Sequence, residues 1–532
     1  MGAAMTVPAS TSTEPRTARQ HHPARPAAPG RGADGGGETT ERALGADEAF
    51  RDDLERLRFS PYYSRLTAVT QVISQNGAGQ GVHNRLTHTI KVTSVARAIA
   101  TAITRPGDPR RALLDRLGGC DPVVVQAAAS AHDLGHPPFG HLGESVLDRI
   151  ARQRYGLADG FDGNAQTFRI LTTLDALHPA GGLNLTAAVR AAVLKYPWCR
   201  IGFPQPHPSE LAHPPRGAGD NGRDPGSTKF SAYFLDAAEM VDARAAYPWL
   251  PPLRQTVECS VMDVADDIAY SLHDLDDFHR AGVLQYATVA TEFRQWLANS
   301  ARLAREDPDT LTPDVPGQSL EALRRRIDAK DPWIADDDAF RAAVDHVLTD
   351  LIDGLLAVPY DGSRAAERAL GSFTGQWLAR LQDAVTVTLD PNPRSGYVSL
   401  LPQAWHEVAI LKFVHQRFVL QRPDLTLYQR GQARILTRLV DGFDAWLADP
   451  ADAPRAPRRL LEFIDLATAG YHRIAQTWPD LLPDTDPAAQ RRRAMGRGLI
   501  DYIASLSDAR AVATADFMTG NAERLWDAGG GL

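Results

Sequence analysis

The chain has 532 residues, 43% hydrophobic and 23% charged, with a formal net charge of −8. This is an ordinary globular composition, enough for one large domain or two fused ones, and the acidic balance argues against a general nucleic-acid binder. No apolar run approaches the roughly 18 residues needed to cross a bilayer, and the N-terminus lacks the basic-then-apolar pattern of a signal peptide, so no membrane partner and a cytoplasmic location are expected. The three cysteines, Cys120, Cys199 and Cys259, are widely spaced without a CxxC pair. That excludes a disulfide framework and a thiolate zinc site, and leaves nitrogen and oxygen ligands for any metal.

Residues 1–45 are rich in Pro, Gly, Ala and Thr without an apolar period and predict a disordered tail, with His21-His22 solvated. In "RLTHTIKVTSVARAIATAI" (85–103), His88 shares a helical face with Val92, Val95 and Ile99, which turns its imidazole toward the core. The next helix begins at "CDPVVVQAAASAHD", with Asp121 as N-cap and Pro122 as first helical residue, and it cannot run far past Gly135 because Pro137-Pro138 removes backbone donors. His132 and Asp133 therefore stand together at a buried helix end. The stretch "AHDLGHPPFGHLGE" (131–144) also holds His136, His141 and Glu144, a density that suggests a metal site. Residues 204–227 have the Pro/Gly content of a long surface loop, in which His207 and His213 are read as solvated. In "CSVMDVADDIAYSLHDLDDF" (259–278), Asp263, Asp266, Tyr270 and Asp274 form one helical stripe with few compensating cations, so a bound cation would relieve the repulsion among the carboxylates. Nearly everything else carries helical spacing and no credible strand appears, which predicts an all-α fold.

His88, then His132-Asp133, then Asp266 reproduce the H…HD…D pattern of the HD-domain metal-dependent phosphohydrolases. Within that superfamily the chain resembles the deoxyguanosinetriphosphate triphosphohydrolases. The likeness runs from about residue 50 to residue 515 and rests on "RLTHTIKV", "AHDLGHPPFGHLGE", "FDGNAQTFRIL", "LKYPW", "ADDIAYSLHDLDD", "YQRGQARILTRL" and "DYIASLSD". It implies an HD-domain core over 46–290, with a surface loop at 204–228, and a helical accessory and oligomerisation region over 291–532. The implied reaction is hydrolysis of a deoxynucleoside triphosphate (dNTP) to deoxynucleoside and inorganic triphosphate.

The same resemblance assigns residues. His88, His132, Asp133 and Asp266 would hold a divalent ion, Mn²⁺, Mg²⁺, Co²⁺ or Fe²⁺, for which two imidazoles and two carboxylates are a suitable donor set; Asp263 and Asp267 are alternatives to Asp266. His141 and Glu144 would act in proton transfer, with Glu144 orienting His141. Arg85, Lys195, Tyr196, Lys229 and Asn164 would contact the phosphates, and Gln71, Tyr270 and Asp274 the deoxyribose. The chain departs from the family at three points: Ser231 stands where glycine is usual, Asp162 where glutamate is usual, and Leu506-Ser507-Asp508-Ala509-Arg510 replaces Met-Thr-Asp-Arg-Tyr. The implied partners are a dNTP substrate, further copies of the chain and a dNTP or single-stranded DNA effector. Two rival readings are an HD phosphohydrolase for another nucleotide, which need not keep Arg85, Lys195, Tyr270 and Asp274 together, and a non-catalytic nucleotide or single-stranded nucleic-acid sensor, which should have lost ligands.

Overall fold

A computed structural model describes residues 15–20, 46–71, 83–219, 226–482, 484 and 486–521. The described residues are almost wholly helical, as the spacing predicts. Three helices, Arg85–Ile103, Pro122–Ala131 and Val257–Arg280, pack pairwise against one another and form a three-helix frame. Each starts on a side-chain cap. Asn84 and Thr87 make a reciprocal capping box, Asp121 accepts from the amides of Val123 and Val124, and Thr256 accepts from that of Cys259. The middle helix gives way to turns at His132–Gly135, where the prolines ahead forbid continuation.

One hydrophobic cluster runs from Phe50 to Ala515, so the residues beyond 290 share one core with these three helices. The helix Pro402–Phe418 lies directly on Val257–Arg280. The helix Pro487–Ala504 packs on Arg458–Thr477 and also reaches Gly140–Tyr155, which opens at the end of the loop 132–139 that carries His132-Asp133, the HD loop.

Three expectations need correction. Residues 15–20, inside the expected disordered tail, are docked on the body: Arg19 pairs with Asp52 and Asp53 at 2.7 Å each, Arg16 pairs with Glu258, and the amide of Ala187 donates to Ala18 at 2.7 Å. Buried carboxylates recruit these arginines from a segment with no apolar period of its own. His21-His22 lie outside the described residues. A short antiparallel pair, Val385–Val387 with Val398–Leu400, is present where no strand was expected, and it leaves the all-α class intact. Finally, His207 in the 204–227 stretch is buried, with Nε2 3.1 Å from the carbonyl of Cys199, whereas His213 is exposed as expected.

Candidate active site

The frame brings His88, His132 and Asp266 together at one point, and Asp133 stands beside them. Asp266 Oδ1 lies 3.4 Å from His88 Nε2 and 3.6 Å from His132 Nε2, and Asp133 Oδ1 is 3.5 Å from His132 Nε2. Bonds of about 2.1 Å to one ion would separate neighbouring ligand atoms by about 3.0–3.4 Å, so these spacings fit a single divalent ion after small shifts. The tautomer fits as well. His132 Nδ1 is 2.7 Å from the carbonyl of Ala129, which can only accept, so the proton sits there and the lone pair of Nε2 faces Asp266. That Nε2 is buried and has no hydrogen-bond partner among the described residues. Burial alone would raise both carboxyls. Nevertheless, His132 and Arg85 hold Asp133, and Lys195 and His88 hold Asp266, well below the usual carboxylate range. The site thus offers imidazole nitrogen and ionised carboxylate oxygen, a donor set suited to a divalent ion.

Within the acidic stripe, Asp266 is the residue that reaches the histidines. Asp263 turns to Lys195 at 2.6 Å and to the side-chain amide of Gln255 at 3.0 Å, and Asp267 pairs with Lys412 and approaches Arg216. One cavity is lined by every residue expected at the site except Asp274. Asp274 is buried one turn beyond Tyr270, 3.7 Å from His415 Nε2, and burial together with Asp277 pushes its carboxyl well above the usual range.

Arg85 occupies the cavity floor. Its Nη1 donates to Asp133 Oδ2 at 3.0 Å, while its Nε and Nη2 are buried without a partner among the described residues. It therefore puts an incompletely partnered cation beside the histidine–carboxylate cluster. The lysines differ. Lys195 sits on Asp263 and Asp266, and Lys229 lies 2.7 Å from Glu144 and 3.5 Å from Asp162.

On the opposite wall, His141 Nδ1 is 3.0 Å from Glu144 Oε2, which directs the Nδ1 proton to the carboxylate and leaves Nε2 for the cavity; the His141 side chain is 61% exposed. Glu144 is buried. Burial opposes its charge, but Lys229 and His141 hold its carboxyl well below the ordinary range. Because Lys229 already fills the cation position beside Glu144, the trio His136, His141 and Glu144 has less need of an ion of its own. Asn164 turns its amide to Asp162 at 2.8 Å, and Gln71 Oε1 is buried without a partner among the described residues. Tyr196 lines the wall beside Lys195.

Two residues that sequence reasoning missed stand against Tyr270. Lys412 lies over the ring of Tyr270, and His415 Nε2 is 2.9 Å from the Tyr270 hydroxyl. Both project from the Pro402–Phe418 helix, and their only sequence signal is a lysine and a histidine three positions apart in an otherwise apolar run, "AILKFVHQ".

Comparison with known proteins agrees with this geometry. The HD domain family model matches residues 85–163, which include His88, His132, Asp133, His141 and Glu144 but stop short of Asp266. A deoxyguanosinetriphosphate triphosphohydrolase-like protein of Bifidobacterium longum is 32% identical over 421 residues, covering 76% of this chain and 74% of its own length. One of Streptomyces coelicolor is 30% identical over 495 residues, 89% of this chain and 93% of its own length. The chain belongs to the deoxyguanosinetriphosphate triphosphohydrolase-like family. It is a hydrolase with an HD domain, and the residues lining the candidate cavity come both from the matched segment and from helices beyond it. No described helix is long and apolar enough to cross a membrane.

Proposed function

We propose that this enzyme hydrolyses deoxynucleoside triphosphates to deoxynucleoside and inorganic triphosphate, using one divalent ion held by His88, His132, Asp133 and Asp266. The observation that carries the reading is Arg85, whose buried Nε and Nη2 have no partner among the described residues and sit beside the histidine–carboxylate cluster. An anion seat and a cation seat share one cavity, as a substrate phosphate requires. When bound, the ion would offset charge developing at phosphorus and make water more acidic.

The protein's own groups do the rest. Arg85 takes a phosphate oxygen through its free nitrogens, and Lys195, Tyr196, Lys229 and Asn164 receive the remaining phosphates. Water bonds to the α-phosphorus and the bond to the 5′-oxygen of the sugar breaks. His141, oriented by Glu144, passes a proton through Nε2 to that leaving oxygen, and the proton given up by the attacking water replaces it. Tyr270, fixed by His415, packs beside C2′ where a ribose hydroxyl would need space, and Gln71 takes the 3′-hydroxyl. Asp274 supports this wall from behind Tyr270. Incubation with each dNTP and NTP plus Mn²⁺, with chromatography of the products, tests the reading: dNTPs should give deoxynucleoside and triphosphate much faster than NTPs react, and comparable rates on GTP and dGTP would refute it.

A further inference from the structure

The turn between the last two described helices, Ala504 to Asp508, is stitched to the HD loop by two charges. The guanidinium of Arg65 donates to four carbonyls at once. Nη1 reaches Ala504 and Leu506 at 3.1 and 3.0 Å, and Nη2 reaches Leu134 and His136 at 2.8 and 2.7 Å. The carboxylate of Asp508 accepts from two amides on separate segments, that of Phe139 at 2.9 Å and that of Thr70 at 3.0 Å. Phe139 lies two residues before His141, and Thr70 immediately precedes Gln71.

Both held segments need holding. Phe139 has a φ of 66°, a left-handed conformation that a phenylalanine rarely adopts, and it opens the helix Gly140–Tyr155 without a side-chain cap. At Gly140 a Cβ would stand 3.0 Å from Arg85 Nη2 and 3.3 Å from the carbonyl of Thr70, so the two segments meet against the guanidinium proposed to bind phosphate. The amide of Arg85 in turn donates to the carbonyl of Val69 at 3.1 Å. One carboxylate therefore ties together the segments that carry Gln71, Arg85 and His141, although it lies 369 residues from Phe139 and outside the cavity.

We propose that Asp508, with Arg65, is a positioning residue for catalysis: the C-terminal turn fixes the HD loop and the Gln71 segment in register, so that His141 and Gln71 face the same substrate. The proposal rests on the function proposed above. Asp508→Asn keeps the shape but has one acceptor oxygen where two amides need one each. Since displacements of about 1 Å at a catalytic group can cost about a hundredfold in rate, kcat per metal-loaded molecule should fall ten- to a hundredfold with metal content retained, and the preference for dNTPs over 2′,3′-dideoxy analogues should narrow. In the same variant, the amides of 70–71 and 139–141 should exchange hydrogen at least tenfold faster, a readout independent of any substrate.

Ser507→Ala is the control. It removes the cap that accepts from the amide of Arg510 while leaving the Asp508 contacts, so it should lower the melting temperature without lowering kcat. Arg65→Lys, which cannot serve four carbonyls in a plane, gives a second reading if Asp508→Asn does not fold, and it should change rate and exchange in the same direction. Unchanged exchange and kcat in Asp508→Asn, or the same losses in Ser507→Ala, would overturn the proposal. Failure of the wild-type enzyme to hydrolyse any dNTP would overturn the substrate reading instead, and the exchange measurement would still decide the positioning claim.

Discussion

The two walls of the cavity treat their polar groups in opposite ways. On the HD wall, Nδ1 of His88, Nε2 of His132 and two nitrogens of Arg85 are buried with no partner among the described residues. On the facing wall every lysine is already paired: Lys195 with Asp263 and Asp266, Lys229 with Glu144, and Lys412 with Asp267. A buried polar group left unpaired costs on the order of 1–3 kcal/mol, which a ligand recovers on binding. A paired lysine offers less, because a phosphate must replace a carboxylate already in place. The first wall should therefore supply affinity for metal and substrate, and the second should set the orientation and charge of the groups that act on them.

The largest expected effect is on the HD wall. Asp266→Ala should remove the metal and abolish activity while the fold survives, whereas Asp263→Ala and Asp267→Ala should keep the metal; elemental analysis of the purified variants reads this, and metal loss in only one of the latter two would reassign the ligand. Next, Arg85→Ala should lower kcat/KM by about a hundredfold, equivalent to about 2.7 kcal/mol, and Arg85→Lys should recover little because a point charge cannot replace the planar donor fork. Lys195→Ala should cost less, and an equal cost in steady-state kinetics would break the contrast between the walls.

Lys229→Ala sharpens that contrast through pH. Lys229 and His141 keep Glu144 ionised well below its ordinary range against burial, so the wild-type rate should show no acid limb from Glu144 above pH 5. Without the lysine, burial should lift the Glu144 carboxyl, and activity should fall as pH is lowered from 7 toward 5. A profile superimposable on wild type would show that Lys229 does not set this charge.

A separate prediction concerns stability beside Tyr270. Burial and Lys412 lower His415 to about 3, so its folded form stays neutral while the unfolded chain takes up a proton below about 6.5. The folded pKa is depressed, so this contribution is present above pH 6.5 and is lost as pH falls toward 3, by about 1.4 kcal/mol per pH unit. Denaturant melts of His415→Gln should show a shallower loss between pH 6.5 and 4 than wild type, and identical slopes would contradict the assignment.

How much of this was legible in the sequence follows from the range of the interactions. His88 on an apolar face, Asp121 and Pro122 at a helix start, and the stop before Pro137 are encoded within a few residues, and the structure has each in place. The acidic stripe identified its helix but left Asp263, Asp266 and Asp267 open, because the choice depends on lysines arriving from elsewhere. Lys412 and His415 were invisible for the same reason, since their partners on the stripe are 145 residues away. The docking of residues 15–20 also depends on remote carboxylates. The short strand pair, by contrast, had a local signal in "VTVTLDPNPRSGYVSL", where alternating apolar residues flank a Pro/Gly turn.

Hydrolysis in water enriched in oxygen-18 tests the central claim most directly. If water attacks the α-phosphorus of a dNTP, the products are unlabelled deoxynucleoside and inorganic triphosphate carrying one heavy oxygen, and Asp266→Ala gives neither. Label in the deoxynucleoside, or release of monophosphate or diphosphate in place of triphosphate, would contradict it.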